Sequence, residues 1–408
     1  MTASWLDGKG TAIDEQRFTL RELAPQPISK LDDDAQTRMR IMVMAGVENE
    51  QNRFLHAFSR ADPNLAGPLA MIRRVEHQQQ ALLMNLLPPD LSPVEAAIGY
   101  TQAAVELTSL LAQAEPDPYL ASVYRFSLSE DVDHLYRWAA LLDRLDGRDA
   151  NTILQGYTTI RSGRPTPSTH RAPDDDLRTP YDRLSTQIAS KINLLTLIGI
   201  KTQLRDQLMS LGPQCADPVA RQLFAEIGLV EEQHLTQYGS LIDSGETWLE
   251  KWLLHEATEV FLYRSWVAQE SSPRIKDIWT RFGSYESGQL VAVGKLIATN
   301  ERRDPDTILS LEMPPTLDWS LQRRHIDGVV DAELGLRASG TRIVPTEEDS
   351  PSSLRYRAYL GKDGSPSLDV IGQQFVWSPG GELSRNRVPQ LDVSMPSKEK
   401  DHGETSRS

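Results

Sequence analysis

Cysteine is almost missing from this chain: Cys215 is the only one in 408 residues. No intrachain disulfide can form, and nothing asks for an oxidising compartment. Basic residues are in deficit as well. Lys and Arg number 43 against 57 Asp and Glu, a formal net charge of −14, which repels nucleic acid and anionic lipid rather than steering them. Long apolar runs are absent. The longest, near Ile192 to Ile200, is interrupted by Asn193 and Thr196 and is too short to span a bilayer. Met1 to Glu22 lacks the basic start and apolar stretch of a signal peptide. The alternation of β-branched residues that marks strands is scarce. Together these absences predict a soluble, cytoplasmic, mainly helical protein. Its partners would be small molecules, with no nucleic acid and no membrane, and a homo-oligomer is compatible with the composition.

What is present is helix punctuation. Ser92-Pro93, Asp117-Pro118, Thr179-Pro180, Asp217-Pro218 and Ser272-Pro273 each set a capping side chain before a proline. Such a cap satisfies a free backbone N–H, and proline at the first helical position loses only an N–H that had no partner. Ser92 with Glu95 reads as a capping box, and Thr179 with Asp182 as a weaker one. Between the breaks, apolar residues recur at helical spacing and predict eight helices, over 34–60, 65–87, 93–114, 117–146, 180–211, 217–243, 246–270 and 273–301. Residues 147–179 have linker composition, including Arg161-Ser-Gly-Arg-Pro-Thr-Pro-Ser and Asp174-Asp-Asp. The expected organisation is all-α. An N-terminal extension covers 1–33, one four-helix bundle 34–146, a linker 147–179 and a second bundle 180–301. A largely irregular extension covers 302–408, with a short helix near 318–334 and a disordered polar end. The alternative is one larger helical array, undivided at the linker.

The halves share more than length. The second helix carries Glu76-His-Gln-Gln79 and the sixth Glu231-Glu-Gln-His234. The fourth carries Asp131-Val-Asp-His134 and the eighth Glu286-Ser-Gly-Gln289. A carboxylate followed three residues later by His or Gln thus falls on corresponding helices of both halves, which reads as a diverged internal duplication. Residues at i and i+3 share a helix face, so a carboxylate and an imidazole so spaced can grip one metal. One such pair is weak, since surface helices carry many Glu and His; four related pairs are a stronger signal.

On these motifs, with Phe126-Ser-Leu-Ser-Glu-Asp-Val-Asp-His-Leu-Tyr-Arg and Thr247-Trp-Leu-Glu-Lys-Trp-Leu-Leu-His-Glu, the chain resembles the ferritin-like superfamily in a doubled, bacterial form over roughly 34–301. The resemblance implies a dinuclear iron or manganese carboxylate site and chemistry with dioxygen or peroxide. Its pattern maps onto Glu48, Glu76, Glu106, Asp131 and His134 in the first half. In the second half it maps onto Glu231, His234, Glu256, Glu259 and Glu286. Gln79 and Gln289 stand where histidines belong, and read as hydrogen-bonding spacers. Lys201 stands where the second half's first glutamate belongs, and an ammonium there competes with metal. The expectation is that Lys201 replaces metal in the second bundle, beside Glu231, Glu256, Glu259 and Glu286, and leaves catalysis to the first. Each such residue also has a plain reading, as an inward salt-bridged pair or a solvated side chain. Glu106 is the residue for which the solvated reading is favoured. His56, His77, His255 and His325 read as surface residues or supports of a site. Trp248, Trp252 and Trp266, with Tyr124, Tyr136, Tyr238 and Tyr263, read as packing. Two functions remain open: a metal-dependent oxidoreductase, and a degenerate ferritin-like scaffold or binding protein without catalytic metal.

Overall fold

A computed structural model describes residues 5–6, 10–158, 160, 170–309, 312–332, 336–339, 342–345 and 350–371. The all-α class holds. The long helices are α1 (Ala35–Ala61), α2 (Ala66–Leu86), α3 (Pro93–Ala114) and α4 (Pro118–Asp146), then, after the short α5 (Asn151–Leu154), α6 (Ile188–Leu211), α7 (Pro218–Ser240), α8 (Trp248–Gln269) and α9 (Pro273–Asn300). Several of their starts follow the capping chemistry, though Ser272 precedes Pro273 at α9 without making a side-chain cap. Ser92 and Glu95 form a reciprocal capping box, and the Asp117 and Asp217 side chains accept free N–H groups at the starts of α4 and α7. Thr247 does the same for α8, a cap without a following proline. Thr179-Pro180 does not open a helix. Asp182 instead caps a turn through Leu184 N at 3.0 Å. Tyr181 N and Arg183 N bond to Leu241 O and Asp243, each at 2.9 Å. The chain is thereby held extended against the end of α7, and α6 begins only at Ile188.

Consecutive long helices pair as hairpins, α1 with α2, α3 with α4, α6 with α7 and α8 with α9. The hairpins do not then assemble in chain order. The α1–α2 hairpin shares its polar interior with α8–α9, and the α3–α4 hairpin shares its own with α6–α7. The first and second halves therefore interleave, and a boundary at the linker separates neither interior. The seam is the α1–α6 pair. A methyl group on Gly46 would stand 2.6 Å from the Gly199 carbonyl oxygen, and one on Gly199 2.9 Å from Val47 Cα, so only glycine lets these backbones approach. One hydrophobic core runs through both groups, from Met39 and Leu83 to Leu204, Trp252 and Ile297. That continuity matches the undivided helical array.

The linker and the C-terminal extension are more structured than their composition predicts. Pro173–Asp176 forms a 3-10 turn on α7, and buried Arg171 pairs with Asp176 at 3.0 Å. Beyond α9 lie α10 (Asp306–Leu309), α11 (Arg323–Ala332), the antiparallel pair β1 (Leu336–Ser339) and β2 (Arg342–Pro345), α12 (Pro351–Leu360) and α13 (Pro366–Ile371). Helix α11 is the short helix expected near 318–334. Helix α13 packs on α4 and α7, and Ser353 Oγ accepts from Ala172 N at 2.8 Å, so extension and linker cover α7 together. The Arg161-to-Ser168 stretch and the polar end after 371 lie outside the described residues. At the N-terminus, Thr11 N donates to Ser284 O at 2.8 Å and Gln16 Nε2 to Tyr285 O at 2.9 Å, strapping the extension across α9.

Candidate functional site: two buried polar clusters

Inward-facing positions one or two turns apart on facing helices bring the acidic motif residues into two clusters. The first joins Glu48 on α1, Glu76 on α2, Glu256 and Glu259 on α8 and Glu286 on α9, all fully buried. Ligand atoms of Glu76, Glu256, Glu259 and Glu286 lie within 4.8 Å of one another. Gln79 Nε2 donates to Glu48 Oε1 at 3.1 Å and to Glu286 Oε1 at 2.6 Å. Gln51 Nε2 and Trp252 Nε1 donate to Glu256 Oε1 at 2.9 and 2.7 Å, and the Tyr263 hydroxyl donates to Glu48. Much remains unpaired: both oxygens of Glu76 and of Glu259, and one each of Glu48, Glu256 and Glu286, have no hydrogen-bond partner. Gln289, on α9, lies against Glu76 and helps to hold its carboxyl down, but forms no well-aligned hydrogen bond at either amide atom. Burial first, and neighbouring carboxylates second, push all five acids well above the usual carboxylate range. Among the described residues, no basic side chain forms an ion pair with any of them.

The second cluster joins Glu130, Asp131 and His134 on α4, Lys201 on α6, and Glu231 and His234 on α7. It has its own cation. The Lys201 ammonium, fully buried, pairs with Asp131 and with Glu231 Oε2 at 3.0 Å, and lies 2.9 Å from His234 Nδ1. His134 Nδ1 meets Glu231 Oε1 at 3.0 Å, and His234 Nε2 meets Glu130. Burial opposes charge on Lys201, yet Asp131 and Glu231 outweigh it and hold the ammonium above its ordinary pKa. Burial likewise opposes charge on Glu231, but Lys201 and His234 hold it well below the carboxylate range. Glu130 falls to about 2 because Arg171 and His234 outweigh burial. His234, opposed by burial and Lys201 but favoured by Glu231 and Glu130, rises to about 9. His134 is pushed down to about 4, mainly by burial. Asp131, His134 and Glu231 offer ligand atoms within 4.8 Å of one another, and Lys201 reaches two of the three.

No family model matches this chain. No curated protein and no solved structure matches it either. The site therefore stands on its geometry.

That geometry regroups the sequence-derived residues. Glu48 and Glu76 do not meet Asp131 and His134; they meet Glu256, Glu259 and Glu286 from the other half. Lys201 does stand among carboxylates, but these are Asp131 and Glu231, while Glu256, Glu259 and Glu286 lie in the other cluster. The physical reason is the pairing of hairpins across the halves. Glu106 belongs to neither cluster. It is buried, not solvated, accepts from Thr158 Oγ1 at 2.5 Å, and is pushed up to about 7 mainly by burial. Gln79 acts as a hydrogen-bonding spacer, and Gln289 lies against Glu76 without a well-aligned bond. Of the histidines, His56 and His77 are exposed, His255 stacks on Phe54 at 4.8 Å, and His325 Nδ1 meets Ser109 Oγ at 2.9 Å. Sequence reasoning missed Glu130, Gln51 and Arg171. A signal for the regrouping was present: the two carboxylate-x-x-Gln motifs share one cluster, and the two carboxylate-x-x-His motifs share the other.

Proposed function

We propose that this chain is a ferritin-like dinuclear-carboxylate oxidoreductase acting with dioxygen or peroxide, with one metal centre, in the α1/α2/α8/α9 cluster. The observation that carries the reading is the set of unpaired oxygens on Glu76 and Glu259. Ionised carboxylates removed from water without a compensating charge cost several kcal/mol each, and five converge here without a basic partner. Two divalent cations supply the missing charge, and the donor oxygens fit them. Glu76, Glu256, Glu259 and Glu286 would hold the ions, with Glu48 alongside. When bound, iron or manganese supplies the electrons that reduce dioxygen or peroxide. The chain's own residues orient and exclude. Gln79 fixes Glu48 against Glu286, Gln51 and Trp252 fix Glu256, and Tyr263 keeps a hydroxyl on Glu48. The surrounding apolar core keeps water from the site.

The second reading, a scaffold without catalytic metal, is favoured by Lys201, which already neutralises the α4/α6/α7 cluster from within. The experiment is metal analysis of protein purified without chelator, with dioxygen and peroxide consumption measured on the same sample. About two iron or manganese ions per chain are expected, lost in Glu76→Ala and Glu259→Ala. Protein that is metal-free, and takes up none when iron or manganese is added, would leave the scaffold reading standing alone.

A further inference from the structure

The donor set around the five carboxylates has a chemical bias that the family pattern does not supply. Among the described residues it contains no imidazole and no thiolate. The buried histidines at motif positions, His134 and His234, serve the other cluster. The two histidines next to motif glutamates do not turn inward, His77 being exposed and His255 stacked on Phe54. At the two positions where a nitrogen ligand is expected stand Gln79 and Gln289, and they differ. Gln79 commits its amide nitrogen to Glu48 and Glu286. Gln289 is fully buried and lies against Glu76 without a well-aligned hydrogen bond at either amide atom. An amide offers a metal only its carbonyl oxygen, so every donor in reach is oxygen. Imidazole suits zinc, copper, iron and nickel, whereas carboxylate and carbonyl oxygen in sixfold array suit magnesium, calcium and manganese.

Resting on the metal-centre reading, we infer that this site selects hard divalent cations of octahedral habit, manganese as the redox-active member, over zinc, and that Gln289 is one of its ligands through Oε1. The two glutamines are then the specificity-determining positions. Gln79 orients two carboxylates, and Gln289 completes the coordination.

The experiment titrates chelator-stripped protein with Mn²⁺, Mg²⁺ and Zn²⁺ by calorimetry, in the parent, Gln289→His and Gln289→Leu. Electron paramagnetic resonance of the bound Mn²⁺ gives a readout independent of activity. The parent should bind Mn²⁺ at least as tightly as Zn²⁺, against the usual order in which zinc wins. Gln289→His should shift the ratio toward Zn²⁺ by about tenfold or more, and Gln289→Leu should weaken Mn²⁺ by about tenfold. Zinc preferred by the parent with no shift in Gln289→His, or unchanged Mn²⁺ affinity in Gln289→Leu, overturns the inference while leaving a metal centre intact. Binding of Mg²⁺ that Mn²⁺ cannot displace overturns the manganese assignment. If none of the three ions binds, the metal-centre reading itself fails, and this inference with it.

Discussion

In the α4/α6/α7 cluster, three carboxylates face the Lys201 ammonium, an imidazole raised toward its charged form and the nearby Arg171 guanidinium. In the α1/α2/α8/α9 cluster, five carboxylates face amides, an indole and a phenol. The helices are of similar length and the acidic motifs correspond, so the contrast turns chiefly on whether the chain supplies its own cations. Where it does, each carboxylate has at least one partnered oxygen, with one oxygen each of Glu130 and Asp131 left over. Where it does not, carboxylate oxygens are left bare. Buried acid in quantity therefore reads as a requirement for positive charge, and the lysine shows what satisfies it from within.

Removal of the internal cation should perturb the molecule most. Lys201→Met should destabilise the protein by about 3–5 kcal/mol, because Asp131 and Glu231 are left as unpaired buried charge; denaturant unfolding measures it. Lys201→Glu should add metal uptake at the second cluster above the parent's content, and its melting temperature should fall on chelation. Unchanged stability in Lys201→Met would mean that the ammonium does not neutralise the cluster.

The seam comes next. Gly46→Ala and Gly199→Ala each force a methyl group against the facing backbone and should cost about 1–3 kcal/mol. Because the seam joins both groups, unfolding should remain a single transition. Two separated transitions would show that the groups melt independently.

A subtler contrast lies in pH. In chelated protein the first cluster's carboxylates have folded pKa values above their unfolded ones. Their stabilising effect is complete below the unfolded value near 4.5 and is lost as pH rises through the raised folded values. Glu130, at about 2, behaves oppositely: its contribution is present above 4.5 and is lost as pH falls toward 2. His234, raised to about 9, contributes below 6.5 and loses that contribution as pH rises through 9. Glu259→Gln should therefore flatten the fall in melting temperature of chelated protein between pH 5 and 8. The acid limb set by Glu130 should remain. An equally steep fall in the variant would place its cause outside the first cluster.

The smallest effects belong to residues outside the metal-centre reading. Glu106→Gln should leave metal content unchanged and alter stability by about 1 kcal/mol. His134→Ala should also keep the metal content, since His134 serves Glu231 in the cation-closed cluster. Loss of metal in either variant, read by elemental analysis, would redraw the boundary between the clusters.

Local rules carried the sequence reading a long way. Capping boxes, prolines and spacing located the eight long helices, and the i, i+3 motifs identified the buried acids. Thr179-Pro180 misled because Asp182 had a stronger local bond in a turn. The grouping of hairpins was harder to see, because any hairpin of this length buries one face against whichever partner fits it. The deciding contact, Gly46 against Gly199, is two small residues in apolar surroundings. Glu106 misled differently: it read as a solvated side chain, or through the resemblance as a ligand, yet it is buried outside both clusters, where Thr158 in the segment after α5 donates to its carboxylate.

The interleaving of hairpins also sets a schedule for synthesis. Helices α1 and α2 leave the ribosome first, yet the partners of Glu48 and Glu76 lie on α8 and α9. At translation rates of about 5–20 residues per second, roughly ten to forty seconds separate the end of α2 from the completion of α9. During that interval the inward acids of α1 and α2 stay hydrated, and the apolar flank of the α1–α2 hairpin waits for a surface that does not yet exist. The α3–α4 hairpin waits a shorter time, for α6 and α7. The group closed by the lysine can therefore assemble first and offer α6 as the template against which α1 is held until the last hairpin arrives.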